Sequence, residues 1–171
     1  MSRYGYRNRK ELEDVCKKLR EKDIPCDTVH LDPFWMRKDV IKGLRCDLMW
    51  DEEAFPNPQE MIQSLREKGF KLCLWISPWV PQDTGMYKEG KKGGFFEKRI
   101  YGTIYEAYLG DGGLGAVVTG ALVDFSNPAA VKWYKKNLKR LLEMGASTFL
   151  TDQSEFTPED AEYYNGMTGR E

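Results

Sequence analysis

The sequence predicts an α/β protein built on a parallel sheet. One physical pattern occurs three times, each time as helix, tight turn and apolar strand. Strands that alternate with helices are joined by right-handed crossovers, which leave neighbouring strands parallel. The strands are nearly continuous apolar runs, as suits strands covered on both faces. The connections are unequal. About three or four residues lead from helix to strand, whereas residues 33–56 and 77–126 lead from strand to the next helix. The long loops therefore gather at the carboxyl ends of the strands.

The first unit is "NRKELEDVCKKLREKDIPCDTVHLD". Asn8 is an N-cap candidate, with Glu11 at the capping-box position. Leu12, Val15, Cys16 and Leu19 recur at helical spacing. "TVHL" is a short strand that stops at Asp32. In the second unit, "NPQEMIQSLREKGFKLCLWISP", Asn57 is expected to cap, Pro58 suits the first helical position and Glu60 completes the box. Met61, Ile62 and Leu65 form the stripe, Gly69 ends the helix, and "KLCLWI" is the strand. The third unit is "NPAAVKWYKKNLKRLLEMGASTFLTD". Asn127 and Pro128 start its helix, Val131, Tyr134, Leu138, Leu141 and Leu142 are expected to face inward, and Gly145 stops it. Residues 147–150 then read as a buried strand that runs to Asp152.

The loops carry signals of their own. The connection at 33–56 holds Phe34, Trp35, Met36, Trp50 and Phe55, too aromatic for a solvated loop. It is expected to fold over the strand ends and supply pocket wall, or simply to pack. The segment after Pro78 is rich in Gly and Tyr but lacks Walker-A spacing, which argues against phosphate binding. It reads as a β-hairpin or a lid, with "ALVDF" an extended lead-in to the third helix. The basic run Lys88–Lys92 reads as a solvated helix face.

Composition narrows the function. The 26 basic and 27 acidic residues nearly cancel, which gives no reason to expect nucleic acid or an anionic membrane surface. No apolar stretch approaches membrane-span length, and "MSRYGYRNRK" lacks a signal-peptide core. The four cysteines show no C-x-x-C spacing and there is one histidine, His30, so no metal site and no cofactor are expected. Free thiols in a reducing, cytoplasmic setting follow as the expectation.

A carboxylate at a strand end needs a reason. Asp152 either caps a turn or stands at the rim of a pocket, since ligands bind at the carboxyl ends of parallel strands. Asp32 ends a separate strand in the same way. Two such acids favour the pocket, with Trp75 beside them.

Several ordered motifs resemble glycoside hydrolase family 31. They are "HLDPFWMR", "CDLMWDEEAFPNPQEMIQSLREKGFKLCLWISPWVPQ", "LVDFSNPAAVKWYKKNLKRLLEMG" and "TDQSEF...YYNG". The similarity runs over nearly the whole chain and points to the α-xylosidase and α-glucosidase members. The resemblance implies a (β/α)8 TIM barrel and retaining α-glycosidase chemistry with two carboxylates. Asp152 falls on the nucleophile, in a motif that usually reads Lys-Thr-Asp-Phe-Gly-Glu. Asp32 falls on an acid that bonds sugar hydroxyls, Trp75 on a Trp that lines the sugar pocket, and Phe34 beside Asp32 as a further substrate contact. Here Leu150 replaces the Lys, Gln153-Ser154 replaces Phe-Gly, and "AVVTG" stands where Trp-Gln-Pro-Gly is usual.

Length limits what the resemblance implies. An eight-stranded barrel takes roughly 200 residues or more, so residues 1–171 are expected to be a partial catalytic barrel domain, truncated at both ends. About three β/α units are present, corresponding to barrel strands 2 to 4. Retaining hydrolysis needs a second carboxyl group roughly 5 Å from the first, and the family's general acid lies on a later strand. Glu155 is a poor substitute, because the family uses that glutamate structurally. The isolated chain is therefore expected to bind an α-linked carbohydrate but to be inactive or nearly so. A carbohydrate-binding or assembly module derived from the barrel, or an unrelated small α/β protein, are the alternatives. Open strand edges predict self-association or pairing with the missing barrel half, unless the loop at 77–126 folds back over the bare face.

Overall fold

The computed structural model describes residues 5–39, 43–44, 46–108, 119–153 and 158–171. Helix α1 (Arg9–Glu21) starts as its sequence predicts, with the Asn8 carboxamide oxygen accepting from the Glu11 N–H at 2.9 Å. The reciprocal bond is displaced by one residue, since the Glu11 carboxylate accepts from the Arg7 N–H at 2.7 Å. Leu12 and Cys16 bury the inner stripe. Strand β1 (Thr28–Leu31) follows, then a 3-10 turn (Pro33–Trp35) and a small antiparallel pair, β2 (Lys38–Asp39) with β3 (Gly43–Leu44).

Helix α2 (Pro58–Glu67) starts differently from its expectation. Asn57 lies in the left-handed region at φ 49° and its side chain makes no cap bond. Glu60 closes no box, and its carboxylate accepts from the Arg9 guanidinium at 3.0 Å. Docking of α2 on α1 thus takes the group that would have capped. Met61, Ile62 and Leu65 are buried as the stripe requires, and Gly69 takes φ 79° after the helix.

Strand β4 (Lys71–Ile76) is the centre of the sheet, and β5 (Trp79–Pro81) continues from it. Helix α3 (Gly85–Gly93) carries the solvated Lys88, Lys91 and Lys92. The strands β6 (Lys98–Arg99), β7 (Glu106–Tyr108) and β8 (Thr119–Leu122) come next. Helix α4 (Pro128–Glu143) is capped by the Asn127 side chain, which accepts from the Ala129 N–H at 2.9 Å. Gly145 at φ 113° ends it, and a methyl there would come within 2.9 Å of Ile62. Within α4, Leu142 is exposed rather than inward, while Tyr134 and Leu141 are buried and Trp133 packs against the core. Strands β9 (Thr148–Thr151) and β10 (Ala161–Glu162) complete the order.

The main sheet is β1–β4–β9, all parallel, with Leu31 opposite Leu74 and Leu74 opposite Phe149. Val29, Leu31, Leu72 and Leu74 point to the side of the helices and join Leu12, Cys16, Met61 and Leu65 in one core. The alternate residues His30, Cys73, Trp75, Thr148 and Leu150 point to the other face. Strand β9 is therefore not the buried strand its composition predicts. It is the sheet edge, and Leu150 is 43% exposed. An apolar strand reads as buried only if a neighbour covers it, and β9 has a partner on one side only among the described residues.

The described part of the segment after β4 has a structure of its own. It forms an antiparallel sheet, β5–β8–β7, so that "ALVDF" contributes a central strand rather than a lead-in. The unit packs on α4, with the Phe95 and Trp133 ring centroids 5.2 Å apart and the Tyr134 hydroxyl donating to the Ser77 carbonyl at 3.0 Å. Within the stretch read as a β-hairpin or lid, residues 109–118 lie outside the described residues.

The aromatic loop at 33–56 resolves mainly to packing. Trp35, Trp50 and Phe55 are buried, with centroids 4.9 and 5.9 Å apart, and only Phe34 among the loop's Phe and Trp residues is half-buried. The four cysteines are free thiols, and burial pushes Cys16 up to about 11.

Residues 158–171 form an arm that pairs β10 with β6 and ties Asp160 to Arg99 at 3.1 Å. Beneath it, burial raises the Glu97 carboxyl to about 7, helped by the nearby Asp124 and opposed by a Tyr163 hydrogen bond. The folded state thus holds a proton that the unfolded chain releases at an ordinary carboxyl pKa. Stability should fall as pH rises from about 5 to 8, by up to about 3 kcal/mol. Denaturant melts of the Glu97→Gln variant should lose this slope; an unchanged slope would refute the assignment.

Candidate active site

The carboxyl ends of β1, β4 and β9 bring three of the predicted residues to one end of the sheet. Asp32 follows β1 directly and is buried at 9% exposure. Trp75 lies one residue beyond Leu74, which is paired with Leu31, so the aspartate and the indole are level across neighbouring strands. Asp152 follows Thr151, and its N–H donates to the Ile76 carbonyl at 3.0 Å. That bond continues the ladder and sets the aspartate at its rim.

The Trp75 indole N–H donates to Asp152 Oδ2 at 2.9 Å. Its backbone carbonyl accepts in turn from the Trp35 indole at 2.9 Å. Asp152 Oδ1 accepts from the Gln153 N–H at 2.9 Å. Gln153 is in the left-handed region at φ 57°, and its carbonyl accepts from the Trp79 indole at 3.0 Å. One indole thus holds the carboxylate and another holds the turn that follows it. Asp152 is exposed, as a group that meets a ligand must be.

Trp79 was not singled out by sequence reasoning. Its signal was "WISPW", two Trp residues separated by a Ser-Pro that turns the chain, so that both indoles reach one strand end. His30, on the inner face below Asp32, was read only as evidence against zinc. Its Nδ1 lies 3.8 Å from Asp32 Oδ1, and its Nε2 is buried without a hydrogen-bond partner. Burial lowers its pKa and the Asp32 charge opposes that only in part.

Phe34 sits apart from the Trp75–Asp152 contact in kind. The Arg7 guanidinium stacks 3.5 Å from its ring centroid, so one face of the ring is taken. Glu155 lies outside the described residues. Among the described residues no group of three or more His, Cys, Asp or Glu is placed to hold a metal ion. The arrangement is an anchored, solvent-facing carboxylate beside an indole and a second, buried acid. It can offer a nucleophile or a hydroxyl acceptor to a polar ring lying on Trp75.

The Glycosyl hydrolases family 31 TIM-barrel domain matches residues 1–170. The alpha-xylosidase XylQ of Lactiplantibacillus pentosus is 39% identical over 150 residues, which cover 86% of this chain. An alpha-xylosidase of Emericella nidulans is 36% identical over 149 residues. The chain spans 18% of the length of each of these two relatives. Among solved structures, a GH31 alpha-xylosidase from a soil metagenome, complexed with xylose, superposes on 95% of the chain with a TM-score of 0.78 and 25% identity, using 23% of its own chain. A parallel sheet with acids at its strand ends, and a family model that spans residues 1–170, lead to one conclusion: the chain belongs to glycosyl hydrolase family 31, as part of its TIM-barrel domain.

Proposed function

We propose that this chain is the nucleophile-bearing part of a retaining α-glycosidase acting on α-xylosides or α-glucosides. The observation that carries the reading is the Trp75 indole bond to Asp152 Oδ2, at 2.9 Å on the carboxyl-end rim. In the proposed reaction Asp152 attacks the anomeric carbon as a carboxylate. The leaving oxygen takes a proton from a general acid on a later barrel strand, and water then releases the sugar with net retention. Asp32 accepts from sugar hydroxyls, Trp75 supplies the apolar wall, and Phe34 borders the same subsite. In this reading a later barrel strand supplies the acid, and its proton donation is worth about 10²–10⁴ in rate. The exposed edge of β9 is where the next strand would pair.

The test is covalent trapping in a full-length protein carrying this segment. A slow-turnover fluorinated α-glycosyl fluoride should add one sugar to the peptide containing Asp152, seen by mass spectrometry. Labelling on another carboxylate would overturn the assignment.

Trp75 should tune that carboxylate. A hydrogen bond to a charged group is worth about 1.5–3 kcal/mol. Trp75→Phe keeps a ring and removes the donor, so kcat should drop about 10- to 100-fold with KM little changed. An unchanged kcat would show that the indole only packs.

A further inference from the structure

The arm formed by residues 158–171 lines an open cavity of about 370 Å³ with the turn between β8 and α4. None of Asp32, Phe34, Trp75 and Asp152 lines it. Its apolar wall is Leu122, Val123, Phe125 and Met167, and its acids are Glu97 and Glu171. Phe125 is 48% exposed, with its ring edge-on to Tyr134 at 5.3 Å. No Lys, Arg or His is among the described residues that line the space.

Glu97 is the unusual member. The residue is 3% exposed, and its Oε2 has no hydrogen-bond partner. A buried polar atom without a partner costs free energy, so something that donates belongs there. Tyr163, on the cavity wall, hydrogen-bonds the Glu97 carboxyl but leaves Oε2 unmet. Asp124 takes the Ser126 N–H at 2.9 Å, the Ser126 hydroxyl at 2.7 Å and the Tyr164 N–H at 2.7 Å. Its negative charge also stands beside Glu97 with no lining cation to offset it.

Charge and shape then select the ligand. Glu97 and Glu171 on the walls, with Asp124 beside Glu97, favour a cation over a neutral molecule. The absence of a metal-holding group among the described residues, and a cavity room for several water volumes, exclude a bare ion as the best fit. An exposed aromatic face suits an ammonium ion carried on an apolar body. We propose that this cavity is a binding site for a small organic ammonium ion, whose N–H donates to Glu97 Oε2 while its apolar part rests against Phe125. The site is independent of the glycosidase reading, and its test needs no catalysis.

The probes are benzylammonium and its neutral counterpart, benzyl alcohol, titrated into the chain and followed by NMR with a carboxyl-carbon label on glutamate. Benzylammonium should bind saturably and shift the Glu97 carboxyl signal. Benzyl alcohol should bind at least tenfold more weakly. Glu97→Gln, checked for native circular dichroism, should lose tenfold or more in benzylammonium affinity, and Phe125→Ala, at a half-exposed position, should also weaken it. No saturable binding to the native chain, equal binding of the alcohol, or a Glu97 signal that does not move would each overturn the proposal.

Discussion

Replacing Asp152 with Ala, in an enzyme that carries this segment within a complete barrel, should lower kcat for α-xyloside or α-glucoside hydrolysis by at least about 10³-fold. The expectation follows from what the residue would do rather than from what it holds up. Asp152 is exposed, so its loss removes little buried surface and the melting temperature should change little. Its carboxylate is aimed by Trp75, and the strand beneath it is tied to β4 through the Ile76 carbonyl. Without a carboxylate the anomeric carbon has no attacking group on that side. A small anion such as azide can enter the space left and restore turnover, with inverted stereochemistry in the product. A residue that merely shaped the pocket would give no such rescue. Activity within tenfold of the parent would end the assignment of Asp152 as nucleophile.

Trp35→Ala should destabilise the chain by about 3–5 kcal/mol, the usual cost of removing a large aromatic from a core. Trp35 is fully buried, its ring lies 4.9 Å from Trp50, and its indole satisfies the Trp75 carbonyl at 2.9 Å. Truncation leaves a cavity and an unpaired carbonyl together. Domains of this kind have only about 5–15 kcal/mol of stability in total, so a loss of this size should be visible as a large fall in the denaturation midpoint at constant slope. Trp35→Phe keeps most of the volume and loses the hydrogen bond, and should cost roughly 1–2 kcal/mol. A loss below about 1 kcal/mol for the Ala variant would show that the loop at 33–56 is not part of the core. Because Trp35 holds the backbone of Trp75, the Phe variant should also loosen the indole that aims Asp152.

The signals that survive in sequence are those made by near neighbours. Asn8 and Asn127 cap helices because their side chains reach an N–H two or three residues on. Gly69 and Gly145 stop helices because the chain needs positive φ there. The three helix–strand units, their parallel order and the placement of Asp32 and Asp152 at strand ends are all consequences of such local rules.

What neighbours cannot report was settled by distant ones. Asn57 resembles Asn8 in sequence, yet Arg9 on another helix engages Glu60 and the cap is lost. Thr148–Thr151 is apolar enough to read as buried, yet it is an edge, because burial depends on which strand lies beside it. The aromatic loop is equally consistent with pocket wall and core until Trp35 is seen to meet Trp50. Glu97 gives no hint of burial, which arises only when the arm at 158–171 covers it.

By itself the sequence determined the three helix–strand units, their direction, and which acids stand at the carboxyl ends, because capping, periodicity and turn chemistry act over a few residues. Tertiary structure alone decided that the Trp75 indole meets Asp152 across 77 residues of chain, and that Glu97 is buried where it lines a cavity with the arm at 158–171. Contacts between segments far apart depend on how whole elements pack, and no short stretch of sequence encodes that packing.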